Sequence, residues 1–67
     1  MLTFTIEVDV AVARPPTPAN TRTRWITVVV DDAPLASAEV EACLIAAQIA
    51  AGHAVMPLAT RIIHAEL

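Results

Sequence analysis

The chain reads as an α+β fold: a two-layer β-β-α-β sandwich, with one helix packed on one face of a mixed three-stranded sheet of order 2-1-3. Three observations predict it. Residues 2–13 alternate apolar and polar with period two, a second β-branched run follows a proline-rich break, and an alanine-rich stretch precedes a short final β-branched run. Period two is the signature of a half-buried strand, while a longer run closed by glycine suits a helix.

In the first run Leu2, Phe4, Ile6, Val8, Val10 and Val12 point one way, and Thr3, Thr5, Glu7, Asp9, Ala11 and Ala13 the other. Residues 14–21 form a loop, because Pro15, Pro16 and Pro18 lack the N–H that a ladder requires. A second strand covers 22–31, with Ile26, Val28 and Val30 on one face and Trp25, Thr27 and Val29 on the other. Asp31, Asp32, Ala33 and Pro34 close it. The helix is expected over 38–51, capped by Ser37, started by Glu39 and Glu41 where the dipole favours acid, and ended by Gly52, the one glycine. His53 then complements the helix's negative end. A third strand, 60–67, sets Ile63, Ala65 and Leu67 against Ile62, His64 and Glu66. Antiparallel to the first strand, it completes the sheet and gives the two-layer arrangement.

Sixty-seven residues make one small domain, and 57% of them are hydrophobic. A core of this size yields roughly 3–5 kcal/mol of net stability, and small domains often add disulfides, metals or self-association. Cys43 is the sole cysteine, so no disulfide forms within the chain, and two distant histidines give no zinc pattern. A homo-oligomer is therefore expected, and no cofactor. With no leader pattern, no apolar run of membrane-spanning length and a lone thiol, a soluble, cytoplasmic protein without a membrane partner is expected. The net charge of −3 lacks the electrostatic footprint of a general nucleic-acid binder.

Charge and aromaticity collect at one place. In the 2-1-3 order Arg14, Arg22, Arg24 and Arg61, the whole basic complement, converge on one end of the sheet with Trp25 among them. Such a cluster can hold an acidic patch of another protein, or phosphates and a single-stranded base. It is equally the composition of a solvated loop. The helix offers a second lead. At 100° per residue, Val40, Cys43, Leu44, Ala47, Ala50 and Ala51 form one apolar stripe, and Ala38, Ala42, Ile45 and Ile49 a second. One stripe covers the sheet and one is left over, and periodicity does not say which. With two isoleucines four apart, Ala38, Ala42, Ile45 and Ile49 are the candidate self-association stripe.

No phosphate loop, dinucleotide fingerprint, H-E-x-x-H or C-x-x-C motif occurs. Ser37 reads as a cap, Cys43 as packing, and Glu7 with Asp9 as charge on a wet sheet face. No catalytic residue is assigned, and the chain is expected not to be an enzyme.

The T-V-V-V strand at Thr27, the acidic pair Asp31 and Asp32, the Ala46-Ala47-Gln48 helix after Glu41 and the Thr60-Arg61-Ile62 strand resemble short uncharacterised proteins of actinobacteria and their phages. The resemblance covers about the last two-thirds of the chain and carries no assigned activity. It implies a small accessory gene product that binds a host protein. The leading expectation is thus a non-enzymatic interaction module that dimerises or oligomerises. The alternatives are a nucleic-acid or phosphate-binding module using the arginine end, and a structural subunit of a larger assembly.

Overall fold

The computed structural model describes residues 1–31, 34–52 and 56–66. The expected positions of Asp32, His53 and Leu67 lie outside the described residues. Strand β1 (Leu2–Ala11) and strand β2 (Thr21–Val30) form a hairpin, helix α1 (Leu35–Ala51) follows, and strand β3 (Met56–Glu66) returns beside β1. The sheet order is β2-β1-β3, as expected from a hairpin and one return beside the first strand. Both ladders are antiparallel, so the sheet is antiparallel rather than mixed. β2 and β3 share a direction but never touch as neighbours.

The core lies between α1 and the even-numbered side chains of β1. Phe4, Ile6, Val8 and Val10 are buried there with Val28 and Val30 of β2. Val12, past the end of β1, is exposed, whereas Ala11 is buried despite its place on the opposite parity.

The helix packs through Ala38, Ala42, Ala46 and Ala50, all essentially inaccessible. Residues four apart share a face, and four methyl-sized side chains in a row let the helix come close to a sheet already furnished with bulky residues. This corrects the expected self-association stripe. Ala38 and Ala42 are the centre of the sheet contact, Ile45 packs on the core's margin, and Ile49 is 45% exposed beside them. What is left over is the Val40, Cys43, Leu44 and Ala47 part of the other stripe, whose Ala50 is buried with the sheet contact.

Three local expectations change. α1 begins at Leu35, before Ser37, with Pro34 at the N-cap and its carbonyl accepting from the Ala38 N–H at 2.9 Å. Ser37 is therefore inside the first turn and caps nothing. Gly52 ends the helix as expected but not in the left-handed conformation usual for such a glycine. Its φ is −70°, ordinary right-handed geometry, and its N–H donates to the Gln48 and Ile49 carbonyls. β3 starts at Met56 and tolerates Pro57 because it is an edge strand.

β3 also breaks strict alternation. Its register against β1 shifts between Thr5 and Ile6 and again between Asp9 and Val10, leaving Ile63 and Leu58 as extra residues. A bulge reverses the parity of everything beyond it. Ile62 therefore faces the core while His64, opposite Thr5, shares the helix-free face with Arg61, opposite Glu7. The expected grouping of Ile62 with His64 and Glu66 is corrected accordingly.

Candidate functional site

The helix-free face of the sheet carries a polar network centred on β1. Glu7 lies between Trp25 of β2 and Arg61 of β3 in one cross-strand row, and Asp9 lies next to it opposite Thr23. The Trp25 indole N–H donates to Glu7 Oε2 at 3.1 Å. Arg61 donates through Nε to Glu7 Oε1 at 3.1 Å, and through Nη2 to both Glu7 Oε1 and Asp9 Oδ2, the latter at 3.0 Å. The Thr23 hydroxyl completes the set by donating to Asp9 Oδ1 at 2.9 Å. Farther along, His64 and Glu66 approach to 3.3 Å.

This network divides the expected arginine cluster. Arg61 is engaged by two carboxylates, which leave the group with one negative charge in excess. Arg22 and Arg24 stand opposite Val10 and Val8, on the face that carries the helix. The Arg22 guanidinium is turned to the Ala19 and Thr21 carbonyls at 2.9 and 3.0 Å. Arg14 sits in the loop, whose shape is held by Asn20: its side chain accepts from the Thr17 N–H and donates to the Pro15 carbonyl. Trp25 is 69% exposed, but its nearest ionic partner is an acid, not an arginine. The four-arginine edge is thus two separate groups on two faces, plus a loop residue.

The hydrogen bond from Thr23, and next that from Arg61, hold the Asp9 carboxyl below its ordinary value. The Arg61 guanidinium is shifted up by its bonds to Glu7 and then Asp9. A carboxyl with a lowered folded-state pKa contributes stability that is present above its unfolded value and is lost as pH falls through the folded value. Carbon-detected NMR titration is expected to place the Asp9 midpoint below the free aspartate value of about 3.9. Thr23→Val and Arg61→Ala each move it upward. An Asp9 midpoint unmoved by both variants contradicts the network.

The second feature is apolar. Val40 and Leu44 stand 63% and 60% exposed on successive turns of α1. Together with Cys43 and Ala47 they form one wall of a shallow groove of about 520 Å³, whose other side is Thr60 and Ile62 of β3. Glu39 closes this groove, and Glu41 borders Val40 and Leu44 on the other flank. α1 contains no basic residue. Cys43, half-buried on the groove wall, is a small apolar lining group.

No protein-family model matches the sequence, and no curated protein or solved structure matches it either. The two surfaces therefore stand on their own chemistry. Among the described residues, no helix is long and apolar enough to cross a membrane.

The groove is half legible in the sequence. Val40, Cys43, Leu44 and Ala47 form a stripe there, but Thr60 and Ile62 join it through tertiary placement. The Glu7–Arg61–Trp25 row escapes sequence reasoning because the contact spans most of the chain and depends on a bulge. Alternating charge on one strand face is its only sequence signal.

Proposed function

We propose that the chain is a non-enzymatic protein-interaction module which takes an apolar, basic segment of another protein along the α1–β3 groove. The observation that carries this is the pair Val40 and Leu44, exposed one turn apart on a helix whose opposite face is already committed to the sheet. A lone exposed apolar side chain is routine; two on adjacent turns above an apolar groove form a surface suited to a partner. Glu39 and Glu41 border the apolar strip and no cation lies on α1, so the charge complement is a segment with Lys or Arg beside its apolar residues. An amphipathic helix, presenting anchors at i and i+4, has the right spacing.

The nucleic-acid alternative loses support from the division of the arginines and from the carboxylates that occupy Arg61. The resemblance to short actinobacterial and phage proteins makes a host protein the natural partner class, in a cytoplasmic setting. As a subunit of a larger assembly the chain would use the same groove.

The test is an amide NMR titration of the whole chain with two amphipathic peptides of identical apolar residues, one flanked by Lys and one by Glu. The Lys-flanked peptide is expected to shift Val40, Cys43, Leu44, Ala47 and Ile62, and less so as salt rises. Silence with both peptides, or shifts centred elsewhere, rejects the reading. Shifts at Trp25 with single-stranded DNA favour the alternative.

A further inference from the structure

The two edges of the sheet are built differently. The Val12 N–H donates to the Asn20 carbonyl at 2.9 Å, one step beyond the β1–β2 ladder. Bonded pairs in an antiparallel ladder recur every second residue. The bonded partners on β2 are therefore Arg22, Arg24, Ile26, Val28 and Val30. The N–H and C=O groups of Thr23, Trp25, Thr27 and Val29 point the other way, out of the sheet. The Thr21 carbonyl, of the same parity, is free to accept from Arg22 Nη1, as this phase requires.

On β3 the same phase puts Pro57, opposite Val10, at a position facing outward, where it offers no donor. Two bulges further break that edge. Proline and bulges are how proteins blunt an edge against pairing. β2 has neither: its ten residues run without proline or register shift, and no described strand lies beyond it.

We propose that β2 pairs with β2 of a second copy, antiparallel about Ile26, to make a continuous six-stranded sheet. The charges select this occupant and this direction. β2 carries Arg22 and Arg24 at its start and is followed by Asp31. Antiparallel pairing keeps Arg22 and Arg24 of the two copies at opposite ends of the shared ladder, each facing a valine, with Asp31 near the basic end of the mate. Parallel pairing sets arginine beside arginine. Centring on Ile26 also gives every outward residue a partner. Thr23 faces Val29 of the second copy and Trp25 faces its Thr27, while Arg24 and Arg22 face valines. A two-fold axis through Ile26 keeps both helices on one side of the sheet and makes the contact self-complementary. The α1–β3 groove lies at the far edge and stays open, so this dimer and the groove reading fail separately.

Sedimentation equilibrium of the full chain from micromolar to millimolar concentration, paired with amide hydrogen exchange, tests the proposal. Twice the 7.1 kDa mass is expected at the upper concentrations. With it, the Thr23, Trp25, Thr27 and Val29 amides slow as the dimer forms. Thr27→Pro removes an outward donor without touching the β1 ladder and is expected to weaken the dimer at least about tenfold. A chain that stays monomeric throughout overturns the proposal. So does a dimer that protects β3 instead, or one that Thr27→Pro leaves intact while folded. Should Thr27→Pro unfold, the exchange pattern of the unaltered chain decides.

Discussion

Phe4→Ala unfolds the protein. Phe4 is fully buried on the central strand, between Val28 and Ala65 in the ladders, and is the largest side chain of the core. Truncating a buried phenylalanine costs about 3–5 kcal/mol, through lost transfer free energy and the cavity left behind. A core of this size supplies roughly the same amount in total. Far-UV circular dichroism and amide dispersion at 25 °C are expected to show a largely unfolded chain. A variant that keeps its dispersed spectrum, with a urea midpoint close to the original, contradicts the position given to Phe4.

The second large effect comes from adding atoms. Ala42 is fully buried where α1 meets the sheet, and leucine has nearly the same helix propensity as alanine. Ala42→Leu therefore leaves the helix itself untouched and lifts it off β1. Overpacking of this kind costs about 1–3 kcal/mol. For a domain of this length, that is a fall in melting temperature of at least about 4 °C. Leu44→Ala, on the outer face, is expected to change stability by less than about 0.5 kcal/mol. The reverse ranking, Leu44→Ala harmful and Ala42→Leu benign, would mean that the helix is turned the other way.

That pair of substitutions also shows why the helix is easily misread from sequence. Periodicity identifies faces but weighs them by bulk, and the two isoleucines make Ala38, Ala42, Ile45 and Ile49 look like the surplus stripe. The sheet supplies the volume: Phe4, Ile6, Val8, Val10, Val28 and Val30 fill the interlayer space, and the helix answers with alanines. Complementarity between layers is a property of the pair, invisible in either segment alone. The strands are easier. Residues 2–13 declare a one-sided strand by strict alternation, and the order 2-1-3 follows from a hairpin and one return.

What alternation does not show is the pair of bulges at Leu58 and Ile63, since an extra residue leaves no mark in composition. Their consequence is functional geography. They place Ile62 in the groove while Arg61 reaches Glu7 and Asp9 on the opposite face. The Arg–Trp grouping expected from the topology takes Arg61 for a strand end, whereas it stands in the middle of β3 opposite Glu7, and the grouping is blind to the two sides of the sheet.

The outer face of α1 is, on this reading, a binding surface that makes no contribution to the fold. Leu44→Lys separates the two roles in one comparison, because the introduced ammonium stands one turn from Glu41 and adds no like charge to the helix. A urea midpoint indistinguishable from the parent is expected, together with loss of binding to the Lys-flanked amphipathic peptide. A lowered midpoint would make the face part of the fold, and undiminished peptide binding would place the binding surface elsewhere.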